Sequence, residues 1–374
     1  MNVLILGGTG AIGKHLVSEL CMNIDYDIYV TSRSNRESKK NNVHYIKGDA
    51  HDYDFLTKLL KQNNWDVIVD FMVYNSVEFQ RRIDTILESV GQYIFLSTCR
   101  VFADSEYPIT ETSPRLLDTS NDYGLLKSDD YPITKAKQEN ILFNHNMQNW
   151  TIVRPYITFS SQRLQLGVLE KEYWLYRAVN KNSVVFSKDI SNSITTLTFG
   201  KDVSIGISKL IWNKKAIGET VNITTKENMY WSEVLDVYKK TYYEITGDIM
   251  NVNLVSDPNI NAFAVASVWP LKYDRLYNRI FDNSKFMHMV GSDFTFSDSR
   301  QMLAKCLKEF YENGCEFKPI PYSTMAYYDR ICGEKTIFSD HSLKRKIEYF
   351  LIKYTELYKK SKMKVIKQKH QELL

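Results

Sequence analysis

No apolar run in this chain approaches the ~18 to 20 residues that a membrane-spanning helix requires. The N-terminus also lacks a basic region followed by an uncharged core and a cleavage site, because its apolar stretch runs straight into a glycine-rich turn. Cysteine is sparse. Cys21, Cys99, Cys306, Cys315 and Cys332 are scattered without C-x-x-C spacing, which argues for reduced thiols rather than a disulfide framework or zinc ligands. His15, His44, His51, His145, His288, His341 and His370 are as dispersed and suggest no metal site. No internal repeat or low-complexity linker divides the chain. A cytoplasmic protein is therefore expected.

What is present suits a globular protein of one large or two smaller domains: 374 residues, 44% hydrophobic and 25% charged, enough to bury a large core. The formal net charge of +4 is unevenly placed. Between Lys344 and Lys369 ten Lys and Arg face only Glu348 and Glu356, so this segment carries +8 and the remainder −4. A slightly acidic body argues against a nucleic-acid surface, and no nucleic-acid partner is expected. In the tail, Ile347, Phe350, Leu351, Tyr354, Leu357 and Tyr358 recur at helical spacing. They read as an amphipathic helix docking on its own protein, with an anionic membrane surface or an acidic partner as alternatives.

The chain opens MNVLILGGTGAIGKHL. Val3 to Leu6 read as a strand, Ile12, Leu16, Val17 and Leu20 as the stripe of a helix, and Gly8, Gly10 and Gly13 between them satisfy G-x-G-x-x-G. In that context the glycines make a tight turn, let backbone approach a pyrophosphate and let the helix pack closely on a sheet. The amides at the helix start would receive the phosphates. Further strands are predicted at 27–32, 43–48, 67–73, 93–98 and 150–155, with helices near 53–62, 76–90 and 131–146. Such alternation predicts an α/β fold, a doubly wound parallel sheet. We assign the dinucleotide-binding part to 1–160, a smaller and less regular substrate-binding part to 161–330, and a basic helical tail to 331–374.

Candidate chemistry follows the predicted fifth strand. Ser97 and Thr98 close it, and YPITK then spans Tyr131 to Lys135, with Glu139 four residues on and Arg154–Pro155 ending the next strand. Residues four apart on a helix share a face, so the Lys135 ammonium can lie beside the Tyr131 phenol. An opposite charge at ~4 to 6 Å lowers a phenol pKa of ~10 by ~1 to 3 units, which makes a usable acid/base near neutral pH. Tyr123 and Lys127 repeat the spacing and are the competing pair. Tyr131 fits better, because Pro132 is tolerated in a first helical turn and Ile133, Ala136, Ile141 and Leu142 continue the helix.

Together, GGTGAIG, the Ser97–Thr98 pair, YPITK with Glu139, and Arg154–Pro155 resemble an extended short-chain dehydrogenase/reductase. More closely, they resemble the NAD-dependent epimerase/dehydratase group that acts on nucleotide sugars. Asp202–Val203, GETVNITT at 218–225 with Trp231, and Asp282, Ser284 and Lys285 extend the likeness over roughly residues 1 to 315. The resemblance implies a Rossmann fold, a homodimer, a nicotinamide cofactor and a nucleotide-sugar substrate. It also implies that Thr98, with Ser97 as the alternative, hydrogen-bonds the hydroxyl that loses its hydride, that Tyr131 is the acid/base, and that Lys135 also holds the nicotinamide ribose. Cofactor contacts are expected from Gly7, Gly8, Thr9, Gly10, Ala11, Ile12 and Gly13, from Ser32, Arg33, Asp49, Ala50 and Phe71, and from Lys135.

Two departures bear on chemistry. Members preferring NAD carry an acid at the end of the second strand, whereas this chain reads Thr31, Ser32, Arg33, Ser34. Arg33 and Ser32 can hold a 2′-phosphate, which favours NADP and leaves NAD as the alternative. Sugar 4,6-dehydratases follow their catalytic threonine with Asp and Glu, where this chain has Cys99 and Arg100. Epimerisation or keto-sugar reduction is therefore expected over elimination, with a non-sugar carbonyl reductase and an RNA-binding or regulatory relative as the other readings. Arg163, Arg275 and Arg279 are the candidates for the substrate diphosphate.

Overall fold

Short apolar strands buried on both faces need helices on both sides, and the chain folds accordingly. The computed structural model describes residues 1–338 and 342–356. Strands β1 (Asn2–Leu6), β2 (Asp27–Ser32), β3 (Val43–Lys47), β4 (Trp65–Asp70), β5 (Val90–Leu96) and β6 (Trp150–Pro155) join a seventh, Glu219–Ile223. Their order is seventh, β6, β5, β4, β1, β2, β3, every pairing is parallel, and Leu6 lies beside Asp70. Chain direction across the sheet reverses between β1 and β4. A crevice therefore opens at their carboxyl ends, the place where open α/β sheets take ligands.

Local signals set the helix starts. Helix α1 (Ala11–Leu20) leaves the glycine turn, α2 (Tyr53–Leu60) is capped by Asp52, and α3 (Ser76–Glu88) by a reciprocal Asn75–Glu78 box. The helix Tyr131–Phe143 carries Pro132 in its first turn, where a missing N–H costs nothing. The segment 103–130, turn-rich in sequence, contains two short helices, Leu116–Thr119 and Tyr123–Lys127.

The chain does not change halves cleanly at residue 160. Helix Gly200–Leu210 packs on α1, with the Ser204 hydroxyl donating to the Ile12 carbonyl at 2.8 Å, and the seventh strand completes the sheet beside β6. The less regular half has its own core, in which Trp174 stacks on Tyr238 with ring centroids 4.5 Å apart. No helix among the described residues is long and apolar enough to cross a membrane.

The tail helix, Leu343–Tyr354, presents the opposite face from the one expected. Tyr349 and Ile352 are buried against helix Tyr322–Cys332, whereas Ile347, Phe350, Leu351 and Tyr354 are exposed; Leu357 and Tyr358 lie outside the described residues. The physical reason is polar. Asp329 is wholly buried with Arg177, 2.8 Å away, and the Tyr349 hydroxyl donates to the same carboxylate. The Thr336 amide donates to the same oxygen at 2.6 Å, so docking this face adds the Tyr349 hydroxyl to an already hydrogen-bonded buried carboxylate.

The two isoleucines of this helix give a direct check. Ile352→Ala removes buried methylenes, worth about 2–5 kcal/mol at a core site, and should speed tryptic cleavage within residues 343–354 by tenfold or more. Ile347→Ala, at an exposed site, should leave the cleavage rate unchanged. Equal rates for both variants would reverse the docking face.

Candidate active site

The first part of the site is the turn after β1. Gly7 has a φ of +71°, and its amide donates to Thr31 Oγ1 at 3.0 Å, which ties the turn to β2. A Cβ at Gly13 would sit 2.6 Å from the Gly8 backbone, so close helix packing requires glycine there. At Gly10 a Cβ would meet nothing nearer than the Gly7 carbonyl at 3.9 Å, so this glycine faces open space beside Thr9 and Ala11. No side chain caps α1 and no acid stands in its first turn. Its leading amides therefore have no side-chain acceptor, an arrangement that could hold an anion.

Around this turn stand the other expected contacts. Ser32 is buried at the end of β2 and Arg33 is exposed beside it. A second cation that sequence reading missed, Arg36, donates through Nε to Ser32 Oγ at 3.2 Å. Its only signal is a second arginine three residues after the first. Asp49 is exposed and accepts from the His51 amide at 3.0 Å as a turn residue, Ala50 is buried, and Phe71 adjoins Gly7.

The second part is a cavity of about 490 Å³, whose walls include Ile12, Thr98, Arg100, Tyr131, Tyr156 and Arg163. Ile12 links it to the glycine turn. Thr98 and Ser97, adjacent in sequence, have different fates. Ser97 donates to buried Glu139 at 2.6 Å, so its proton is committed; Thr98 Oγ1 accepts from the Arg100 amide at 3.2 Å and keeps its proton for the cavity. Tyr131 is half-buried on the cavity wall. Tyr123 is 77% exposed on its separate short helix.

Lys135 departs from expectation. It is 1% exposed, its Nζ lies 4.3 Å from the Phe95 ring centroid and has no hydrogen-bond partner. Burial lowers its pKa to about 8 against the opposing pull of Asp70 and Glu139. Burial raises the Tyr131 phenol above 10, and the cations that pull it back are Arg100 and Arg163 rather than Lys135. The reason is direction: the ammonium lies over Phe95, close enough to Asp70 for that carboxylate to act on it. Asp70 itself is raised by burial and held by the Met72 amide and the Tyr93 hydroxyl, both at 2.8 Å.

The three expected substrate arginines also separate. Arg163 lines the cavity and pairs with Glu170 at 3.3 Å. Arg275 lines it too, with Nε donating to the Gly167 carbonyl and an ion pair to Asp274. Arg279 does not belong to this group. It is fully buried outside the cavity lining and spends its donors on Asp274 and the carbonyls of Phe102, Ala103 and Tyr273. Asp274, which sequence reading missed, also meets Arg100 at 3.1 Å and the Tyr156 hydroxyl at 2.9 Å. Nothing local marked this acid, because its partners converge only in the fold.

With this geometry in view, comparison with known proteins is informative. The profile of the NAD dependent epimerase/dehydratase family matches residues 3–223. The chain belongs to that family. It is similar to the UDP-glucose 4-epimerase of Lacticaseibacillus casei, 28% identical over 145 residues, covering 33% of this chain and 43% of that protein. It is also similar to the chloroplast stem-loop binding protein of 41 kDa b of Arabidopsis thaliana, 22% identical over 237 residues, 60% of this chain and 58% of that one. The chain thus spans about half the length of these curated relatives. Among solved structures, a dTDP-glucose 4,6-dehydratase of Bacillus anthracis in complex with NAD matches with a TM-score of 0.64 at 18% identity, covering 86% of this chain and 99% of the other. A UDP-glucuronic acid 4-epimerase of Bacillus cereus, with UDP-glucuronic acid and NAD, matches at 0.62 and 17%, covering 84% and 99%. Both share the fold.

The buried ammonium makes a measurable statement about stability. Lys135 titrates near 8 in the folded chain and near 10.5 in its ordinary state. From pH 8 to 10.5 the unfolded chain binds a proton that the folded chain does not, so stability rises with pH across that window. Below pH 8 the cost of burying the charge is full, on the order of 2–4 kcal/mol. Lys135→Met should accordingly unfold at higher denaturant than wild type at pH 7, with the gap closing by pH 10.5. A less stable variant at pH 7 would show that the ammonium is well compensated.

Proposed function

We propose that this chain uses a nicotinamide dinucleotide to epimerise a nucleotide sugar at a hydroxyl-bearing carbon or to reduce a keto sugar. The observation that carries this reading is the shared wall of Ile12, Thr98 and Tyr131, with Lys135 buried behind it and left without a hydrogen bond. The cofactor fits these residues. An uncapped helix start faces open space at Gly10 for its phosphates, and an orphaned ammonium awaits hydroxyl acceptors such as those of a ribose. When bound, a nicotinamide accepts a hydride from the sugar carbon and returns it.

The chain's own groups handle protons and orientation. Thr98 donates to the reacting oxygen, and Tyr131 takes or returns the hydroxyl proton as that carbon changes oxidation state. Lys135 holds the cofactor ribose, with Gly7 to Gly13, Asp49, Ala50 and Phe71 around the dinucleotide. Ser32, Arg33 and Arg36 together form a cationic, hydroxyl-bearing corner suited to a 2′-phosphate, which supports NADP over NAD. Arg163 and Arg275 are proposed to face the substrate diphosphate. Elimination of water is disfavoured, since Cys99 is buried with its thiol pushed well above its ordinary pKa by burial and donating to the Arg154 carbonyl at 3.0 Å, and Arg100 is a cation. RNA binding is a second reading, favoured by the stem-loop binding relative, which aligns with more of this chain than the epimerase does. Salt-dependent RNA binding without turnover would support it.

Tyr131→Phe should cut single-turnover hydride transfer by about 10²- to 10⁴-fold with little change in dinucleotide affinity, as expected of a group that moves a proton in the transition state. Tyr123→Phe should be close to wild type. Nicotinamide absorbance follows both, and a dead Tyr123→Phe beside an active Tyr131→Phe would transfer the role.

Cofactor choice is tested by fluorescence titration of NADPH and NADH. Arg33→Ala should weaken NADPH by about tenfold to hundredfold, the worth of one charge-assisted hydrogen bond, and leave NADH unchanged. Wild type preferring NADH, or equal weakening of both, would reject the 2′-phosphate assignment.

A further inference from the structure

The wall beside Tyr131 carries more positive charge than its acids balance. Asp274 is 2% exposed, yet it serves three guanidinium groups: Arg100 at 3.1 Å, Arg279 at 3.2 Å, and Arg275. Three cations on one buried carboxylate leave an excess that Asp104, exposed and acting on Arg279, offsets only in part. Arg163 has its own acid, Glu170, at 3.3 Å, and stands outside this balance. Burial depresses the Arg275 pKa to about 10, the Tyr156 hydroxyl opposes this, and Arg100 and Arg163 add like-charge repulsion. A low-dielectric wall with uncompensated cations is expensive unless an anion joins it.

The members of this cluster differ in what they have left to give. Arg279 has four of its five N–H donors bonded and lies outside the cavity lining, and Arg275 is tied to the Gly167 carbonyl and Asp274. Arg100 is different. Its guanidinium carbon lies 5.8 Å from the Tyr131 ring centroid, and it lines the cavity with its side chain one-fifth exposed. Its Nε is buried near Asp274 without an aligned hydrogen bond, and no other side-chain hydrogen bond joins it to a described residue.

We propose that Arg100 receives a carboxylate carried by the sugar ring itself, so that the cavity selects a nucleotide-linked sugar acid over a neutral hexose. This rests on the nucleotide-sugar reading above. Position separates the ring carboxylate from the diphosphate. Tyr131 and Thr98 mark the reacting carbon, and Arg100 adjoins both: its backbone N–H donates to Thr98 Oγ1, and its guanidinium lies over the Tyr131 ring. A ring substituent close to the reacting carbon therefore meets Arg100, while the diphosphate, joined through the anomeric carbon, extends away from the reacting hydroxyl. A planar carboxylate matches the free fork of a guanidinium in a way that a neutral hydroxymethyl group does not.

The test measures dissociation constants of the dinucleotide-loaded protein for UDP-glucuronate against UDP-glucose, and for the matching dTDP pair. Wild type should favour the acid by about ten- to hundredfold, the value of a charge-assisted contact. Arg100→Met should abolish the preference while changing the constant for the neutral sugar less than threefold, and Arg100→Lys should retain part of it. Unchanged dinucleotide affinity in both variants shows that the fold survives. Equal binding of acid and neutral sugars by wild type, or a preference that persists in Arg100→Met, overturns this inference alone. Failure of every nucleotide sugar to bind, with the dinucleotide still bound, overturns the functional reading and this inference with it.

Discussion

The site hangs on one buried carboxylate. Glu139 is wholly buried, and both its oxygens are held by Arg154, at 2.7 and 2.8 Å, while Ser97 donates at 2.6 Å and Arg115 at 3.1 Å. Three of these bonds join the Tyr131 helix to the ends of β5 and β6, and the fourth ties in Arg115 at the start of the short helix Leu116–Thr119. A buried ion pair of this kind contributes little net stability, because desolvation offsets the attraction, but it is costly to break and it permits one geometry only. That geometry sets Tyr131 across from Thr98. Committing Ser97 to Glu139 also leaves Thr98 as the strand-end hydroxyl with a proton to offer.

Around this anchor the protein tolerates charges that folding alone would not favour. Lys135 is buried without a hydrogen bond, and the wall beneath Tyr131 gathers three arginines on Asp274. Buried groups with displaced pKa values in a concave site are the usual mark of function. Structural arginines show the contrast. Arg177 is equally buried, yet it is balanced by Asp329 and Glu334 and donates to the Ser183 carbonyl. Its network holds the tail helices in place, whereas the Asp274 cluster retains positive charge at a cavity.

Much of the sheet was legible because strand and helix periods differ and the strands are short. Strand β2 and strand β6 begin and end where alternation and turn residues place them. The fourth and fifth strands start and stop two or three residues earlier than predicted, since hydrogen-bond register, not apolar content, ends a strand. The seventh strand was visible only as a family-like motif, because nothing in GETVNITT states which strand it will pair with. The tail shows the limit most plainly. Its exposed apolar stripe has the stronger helical pattern, but the buried face is the one that brings Ile352 into the core and the Tyr349 hydroxyl to Asp329.

The residue types at the candidate site were therefore settled in the linear chain: a glycine turn between a strand and a helix, a strand-end threonine, a tyrosine and lysine one turn apart, and a basic corner after β2. These depend on local spacing, which backbone geometry converts directly into position. Partnership was not local. Whether Lys135 or Arg100 acts on the Tyr131 phenol depended on where each side chain points in the fold, and whether Arg279 faces a cavity or a carbonyl, and which acid gathers the arginines, depended on elements over a hundred residues apart. Electrostatic roles are set by distance and burial, and both exist only once the chain has folded.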